Sequence, residues 1–201
     1  MFDPASWQLY LLAIIIGYLV GSTPFGLILT RMAGQGDIRK IGSGNIGATN
    51  VLRTGNKALA ALTLILDAGK GAVMVVLGSI LFGTDVGWIA GLGAFLGHLF
   101  PVWLKFKGGK GVATNAGVCF GLAWPLGLTY AIVWLGVLGG LRISSLAGMA
   151  AVVCAAIAAA VLEYEALVPV LALIAALVLW LHRANIGRLV KGEEPRVGAR
   201  K

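Results

Sequence analysis

The chain has 201 residues, of which 59% are hydrophobic and 12% charged, and its mean hydropathy is +0.92. No single aqueous core of this size hides so much apolar surface, so a soluble globular domain is excluded and the solvent is lipid. The formal net charge of +8 does not point to nucleic acid: the 16 Lys and Arg residues fall in loops that share one membrane face or, as Lys70 does, within an apolar run.

The first apolar stretch, residues 9–30, is preceded by Asp3 alone among charged residues. It lacks the basic start, the short apolar core and the small-residue cleavage site of a secretion signal, and is read as a retained helix. Further spans are expected at 58–82, 88–104, 111–123, 126–140, 144–161 and 166–181, since only helices or closed barrels satisfy their backbone in lipid. The connections test this reading. Arg31, Arg39, Lys40, Arg53 and Lys57 occupy the loop 31–57, and the next connection holds only Asp85. Lys105, Lys107 and Lys110 lie in the loop 105–111, followed by an uncharged Trp124-Pro125 turn, Arg142, then Glu163 and Glu165. The tail 182–201 carries Arg183, Arg188, Lys191, Arg196, Arg200 and Lys201. Basic connections alternate with acidic or neutral ones, which predicts one all-α polytopic domain over 1–201 with seven transmembrane helices, an outside N-terminus and a cytoplasmic C-terminus. Pro125 predicts two short helices between Gly111 and Gly140 rather than one long one.

Glycines recur four apart at Gly17/Gly21, Gly87/Gly91, Gly93/Gly97, Gly117/Gly121 and Gly136/Gly140, a spacing that lets helix backbones approach closely. Cys119 and Cys154 both lie in apolar runs, with neither disulfide nor zinc-ligand spacing, so no metal is expected. Asp67 and Lys70, three apart in the second span, are expected to pair in the interior. His98, near Pro101, is expected to bond a freed backbone carbonyl.

Three polar segments stand out. The first is Ile41-Gly-Ser-Gly-Asn-Ile-Gly-Ala-Thr-Asn50 followed by Arg53. Gly42, Gly44 and Gly47 match a dinucleotide fingerprint formally, but no strand or βαβ unit surrounds them, so no nucleotide cofactor is expected. What remains is an anion site: backbone N–H groups exposed by a Gly-rich turn, side-chain donors on Ser43, Thr49 and Asn50, and the Arg53 guanidinium. The second, Lys105-Phe-Lys-Gly-Gly-Lys-Gly-Val-Ala-Thr114, is not a Walker loop. It places Lys110 at a helix N-terminus that favours phosphate, while Lys105 reads as a sidedness charge. The third, His182-Arg-Ala-Asn-Ile-Gly-Arg-Leu189, aligns His182, Asn185 and Arg188 on one helical face, with the histidine placed to orient a substrate or handle a proton.

Ser43-Gly-Asn-Ile-Gly-Ala-Thr-Asn50, Lys107-Gly-Gly-Lys-Gly-Val-Ala-Thr114 and His182-Arg-Ala-Asn-Ile-Gly-Arg-Leu189 together resemble the three motifs of the bacterial membrane glycerol-3-phosphate acyltransferases of the PlsY type. The likeness runs over nearly the whole chain, including Gly21-Ser22 with Pro24-Phe25-Gly26, and Asp67 to Gly71. It implies an enzyme of the bacterial inner membrane, facing the cytoplasm, that moves a fatty acyl group from acyl phosphate to the 1-hydroxyl of sn-glycerol 3-phosphate. Lysophosphatidic acid and phosphate are the products, and neither metal nor other cofactor is used. By motif position the resemblance implies a catalytic and phosphate-binding set of Ser43, Arg53, Lys110, His182 and Asn185. It implies substrate contacts from Gly44, Asn45, Thr49, Asn50, Lys107, Gly108, Gly109 and Arg188, and from one of Ser144 and Ser145.

The residues agree with that chemistry. Both substrates carry phosphate, and two basic loops await two phosphates. A mixed anhydride has a good leaving group, so positioning and charge stabilisation suffice. No Ser-His-Asp set is visible, which favours direct transfer over an acyl-enzyme. The expected partners are these two substrates and the bilayer, with no nucleic acid and a monomeric chain. The alternative class, a phosphate-ester or anion transporter, predicts charges along a path through the membrane, whereas here they gather at one face.

Overall fold

A computed structural model describes residues 6–198; Asp3, Arg200 and Lys201 lie outside the described residues. The described residues form helices and turns without a strand, and the chain divides into two compact units, Met1–Leu122 and Ala123–Lys201.

The first unit contains α1 (Trp7–Gly21), α2 (Phe25–Met32), the single turn α3 (Ala48–Val51), α4 (Lys57–Phe82), α5 (Thr84–Leu99) and α6 (Val112–Leu122). The first span, expected as one helix, is broken between α1 and α2. Pro24 has no N–H to continue the ladder and steers Thr23 away from helical geometry, so the Thr23 carbonyl accepts the Phe25 N–H at 3.1 Å and keeps a lone pair for a side-chain donor. Asn56 starts α4, its Oδ1 accepting from the Leu59 N–H at 3.0 Å. α4 is inside-out by the standards of a water-soluble helix: it exposes Ile65, Val76, Leu77, Ile80 and Leu81 and buries Asp67, Lys70, Gly71 and Gly78. Only an apolar solvent makes that arrangement favourable.

Glycine spacing sets how closely these helices meet. A Cβ at Gly17 would lie 2.2 Å from the Ala90 carbonyl oxygen, and one at Gly21 would lie 2.0 Å from that of Ala94. In return, Cβ atoms at Gly93 and Gly97 would strike the Ile14 and Tyr18 carbonyls. α1 and α5 therefore touch backbone to backbone. Gly117 of α6 meets α4 at Ala68 in the same way, Gly121 sits against Val75, and Gly87 and Gly91 sit against Ser79 and Val75. The fifth expected pair differs: nothing lies within 4 Å of a Cβ at Gly136 or Gly140, so these two glycines serve no close packing among the described residues.

The second unit contains α7 (Trp124–Leu141), α8 (Ser144–Val161), α9 (Val168–Leu181) and α10 (Arg183–Val190), with α8 packed on both α7 and α9. α6 ends at Leu122, and Ala123 is extended, with Pro125 in the first turn of α7. The expected break between Gly111 and Gly140 is present. The last expected span, 166–181, ends where it was expected to. α9 and α10 meet at 61° across His182 rather than running on as one helix. Side chains satisfy the last turn of α9 where it stops: His182 Nδ1 bonds the Val178 carbonyl at 2.8 Å and Arg183 Nη1 donates to the Trp180 carbonyl.

All seven expected positions are helical. By length and composition, five segments among the described residues can cross a membrane: Trp7–Met32, Lys57–Phe82, Thr84–Leu104, Trp124–Leu141 and Ser144–Val161. A sixth results if the bent pair Glu165–Leu181 and Arg183–Val190 counts as one. At ~1.5 Å per residue, the 11 residues of α6 span about 17 Å, short of a ~30 Å hydrocarbon core.

Candidate functional site

In the first unit, the loop between α2 and α4 is built around Asn50, which is buried. Its Nδ2 donates to the carbonyls of Ile38 (2.8 Å), Ile41 (3.3 Å) and Asn45 (2.7 Å), and its Oδ1 accepts from the Ser43 N–H at 3.1 Å. The expected role of Asn50 as a ligand donor is therefore corrected: its amide is engaged in shaping the loop. Gly42 has φ +56°, and a Cβ there would lie 2.4 Å from Asn50 Oδ1 and 2.5 Å from Arg53 Nη1. Only glycine lets Arg53 fold across this turn. Three N–H groups of the expected cradle are committed within the loop. The N–H groups of Ser43, Gly44 and Gly47 go to Asn50 Oδ1, the Ile41 carbonyl and Asn45 Oδ1. Side chains add capacity for an anion, with Ser43, Thr49 and Arg53 exposed. At the start of the loop, Asp37 bridges Arg39 and Arg31. The hydrogen bonds from Arg39 hold its carboxyl well below the usual range, against a smaller opposing effect of burial.

The second polar segment folds back on the C-terminal end of α5. The Gly108 N–H donates to the Leu99 carbonyl (3.1 Å) and the Gly109 N–H to the His98 carbonyl (2.9 Å). These two N–H groups are thus committed to closing the loop, not to a ligand. Gly108 still lines the surface of the site, and Gly109 is buried. Lys110 is half-buried two residues before α6, as expected, and Lys105 and Lys107 are exposed.

Both segments contribute to one cavity of about 520 Å³, lined by Arg39, Ser43, Gly44, Asn45, Trp103, Leu104, Lys105, Lys107 and Gly108. Serine and asparagine from one loop thus face lysines from the other. Lys105, expected to serve sidedness alone, is part of this wall, and so is Arg39, which the sequence did not single out for ligand binding. Four cationic or amide side chains around an open polar hollow suit a phosphate ester.

The second unit holds the third segment. Asn185 and Arg188 do share a face, that of α10. Asn185 Nδ2 donates to Glu194 Oε1 at 2.5 Å and Arg188 Nε to Glu194 Oε2 at 2.7 Å. Ser145 Oγ, at the start of α8, donates to the same Oε1 at 2.7 Å. Of the two adjacent serines, Ser145 is therefore the one joined to the motif, and Ser144 opens the helix beside it. Burial pushes the Glu194 carboxyl up, but the donors from Ser145, Asn185 and Arg188, with the guanidinium charge, outweigh it and hold the group below its ordinary value. The segment bearing Glu194 is tied down by Arg142, whose carbonyl accepts from the Val197 N–H (2.6 Å) and whose Nε donates to the Val197 carbonyl (3.1 Å). Glu194 was missed by the sequence reading. The signal was an acidic pair, Glu193-Glu194, in an otherwise cationic tail.

His182 sits buried at the α9–α10 junction, three residues before the buried Asn185. Because the Val178 carbonyl can only accept, Nδ1 carries its proton, and in the neutral ring Nε2 is the acceptor nitrogen. Among the described residues no group of His, Cys, Asp and Glu could hold a metal ion.

Comparison with known proteins converges on one family. The family model described as glycerol-3-phosphate acyltransferase matches residues 11–192. The glycerol-3-phosphate acyltransferase of Erythrobacter litoralis is 66% identical over 187 residues, covering 93% of this chain and 94% of the relative. That of Maricaulis maris is 58% identical over 185 residues, covering 92% and 86%. A crystal structure of PlsY (YgiH), an integral membrane glycerol 3-phosphate acyltransferase, in its glycerol 3-phosphate form is similar with a TM-score of 0.89. It is 40% identical, over 94% of this chain and 96% of that one. The lysophosphatidic acid form of the same protein gives 0.86 at 38% identity, over 94% of this chain and 95% of that one.

Proposed function

Since the chain belongs to the glycerol-3-phosphate acyltransferase family and is an integral membrane protein, we propose that it acylates the 1-hydroxyl of sn-glycerol 3-phosphate with acyl phosphate as the donor. The observation that carries this reading is the polar cavity of about 520 Å³, in which Ser43 and Asn45 face Lys105 and Lys107. Its size and charge suit a phosphate-bearing substrate, and a membrane location lets a long acyl chain stay in an apolar medium.

In the proposed reaction the acceptor oxygen attacks the acyl carbonyl carbon, the bond from that carbon to the phosphate oxygen breaks, and the departing phosphate carries off the hydroxyl proton. The products are lysophosphatidic acid and hydrogen phosphate. No acyl-enzyme forms. Arg53, Lys107 and Lys110 hold phosphate and stabilise charge on the leaving group, with Ser43 as a neutral donor. Asn185, Ser145 and Arg188 hold the acceptor side, fixed by Glu194. Nε2 of His182 accepts a hydrogen bond from the acceptor hydroxyl and orients it. The polar loops and the C-terminal segment face the cytoplasm of a bacterial inner membrane, with seven crossings in which α6 is a short one, and the chain acts as a monomer without a cofactor.

The test is turnover by purified protein in detergent. Acyl phosphate with glycerol 3-phosphate yields lysophosphatidic acid and phosphate in equal amounts. Activity with an acyl thioester instead, and none with acyl phosphate, would overturn the donor assignment.

A further inference from the structure

Lys70 lies in the middle of α4, 5% exposed, and its Nζ has three partners: Asp67 Oδ1 at 2.7 Å, the Thr23 carbonyl at 2.9 Å and His98 Nδ1 at 2.9 Å. The Phe25 ring stands 5.5 Å away as a fourth neighbour. A lysine buried in a membrane-spanning helix is stable only where it is paired and fully bonded, and this one is. Asp67 confirms the expected pair. His98, by contrast, bonds no freed carbonyl; it is the third acceptor of the ammonium. An ammonium has three N–H donors and no lone pair, and each here has one acceptor. His98 Nδ1 must accept, so the proton of the neutral ring is on Nε2. Asp67 Oδ1, 3.6 Å from His98 Nδ1, is too distant for a hydrogen bond that would reverse this assignment.

The other edge of the same ring meets the second polar loop. A Cβ at Gly109 would lie 2.0 Å from His98 Nε2, 2.7 Å from Cε1 and 2.9 Å from Cδ2. The loop backbone therefore rests directly on the imidazole, one residue before Lys110, while the His98 carbonyl accepts the Gly109 N–H. One chain of contacts runs from the break between α1 and α2, through α4, to the ring on α5 and the loop above it.

We propose that His98 is a positioning residue of the acyltransferase. Lys70, itself anchored by Asp67 and the Thr23 carbonyl, pins the imidazole as its Nε2–H tautomer. The pinned ring is the floor that seats Gly109 and sets where Lys110 stands. This rests on the reading of the Lys107–Lys110 loop as phosphate-binding. Lys70 and His98 touch no substrate; they act through the loop.

His98→Asn separates this role from folding, because an asparagine oxygen near the Nδ1 position keeps an acceptor for Lys70 while the ring edge under Gly109 is lost. In steady-state assays of the full chain in detergent, His98→Asn raises about tenfold the KM for the phosphate substrate that Lys110→Ala also affects. Its kcat stays within about threefold of wild type, and its thermal midpoint is unchanged. The double variant Asp67→Asn/Lys70→Met removes one charge of each sign, leaves no unpaired ion, and shows the same KM rise. There are two histidines in the chain, so ¹⁵N-histidine labelling in a His182→Gln background reports His98 alone. At pH 7 it shows a protonated Nε2 and a bare Nδ1. Wild-type KM values in His98→Asn, or a proton on Nδ1, overturn the proposal. A Lys110→Ala protein with wild-type kinetics instead overturns the phosphate reading of the loop, whatever His98 does.

Discussion

Replacing Glu194 tests whether the C-terminal segment is part of the site's framework. Its carboxylate, 6% exposed, accepts from Ser145, Asn185 and Arg188. A hydrogen bond to a charged group contributes about 1.5–3 kcal/mol. Arg188, 38% exposed, recovers its bond from water and counts for little. Ser145 and Asn185 are buried and do not. Glu194→Ala should therefore cost about 2–4 kcal/mol, allowing for some relaxation of the two donors. For a chain of this length that corresponds to a loss of roughly 5–15 °C in thermal midpoint. Glu194→Gln should be milder, near ~1 kcal/mol, because an amide oxygen at the Oε1 position still serves both buried donors and only the Arg188 partner is lost. The assay is thermal unfolding in detergent followed by thiol labelling of Cys119, which is wholly buried until the protein opens. Equal midpoints for Ala, Gln and wild type would refute the framework role. So would a Gln variant less stable than Ala.

The same carboxylate makes stability depend on acid. A group held below its ordinary value, here 4.5, contributes fully above that value and loses its contribution as pH falls through it and then through the depressed value. Wild type should therefore lose midpoint below about pH 4.5 faster than Glu194→Gln, measured by the same labelling assay. For phosphate binding, Arg53→Ala and Lys110→Ala should lower turnover roughly ten- to a hundredfold with near-normal midpoints, and Lys105→Ala, at a cavity-wall residue outside the proposed phosphate-holding set, less; equal losses at all three would indicate general charge rather than a site. For His182, the proposed contact to the acceptor hydroxyl is made by Nε2, so His182→Gln should keep far more activity than His182→Asn or His182→Ala. A dead Gln variant together with a single ionisation near the histidine's own pKa in the wild-type rate profile would make His182 the base. For sidedness, single cysteines at Asn56 and Gly192, in a background without Cys119 and Cys154, should resist an impermeant thiol reagent in intact cells while one at Asp85 labels. Labelling of Gly192 from outside would contradict seven crossings with a cytoplasmic C-terminus.

Much of the helical framework was legible because lipid imposes simple rules. Long apolar runs had to be helices, Pro125 had to end one, and Gly17, Gly21, Gly93 and Gly97 marked a backbone contact between α1 and α5. Gly136 and Gly140 carry the same spacing, yet among the described residues no other element comes within 4 Å of a Cβ built there, since spacing says that close approach is permitted, not that a partner is there. The polar segments were legible as a group, whereas the use of each atom was not. Asn50 reads as a donor in a Gly-rich loop, yet three carbonyls of its own loop take its amide hydrogens. Gly108 and Gly109 look like a phosphate cradle, yet their N–H groups close onto α5. Such choices depend on which carbonyls the tertiary fold leaves open, which no local pattern records. The Ser145 contact of Glu194 and the Lys70 contact of His98 stayed hidden for the same reason: the partners are 49 and 28 residues apart in sequence.

The most direct test of the central claim is an equilibrated mixture of purified protein, acyl phosphate and glycerol 3-phosphate in detergent, with lysophosphatidic acid and inorganic phosphate quantified together. The account predicts one phosphate released per lysophosphatidic acid formed, no acylated protein trapped on rapid denaturation, and loss of both products together in Arg53→Ala. Phosphate release without lysophosphatidic acid, or an acyl group bound covalently to the chain, would contradict it.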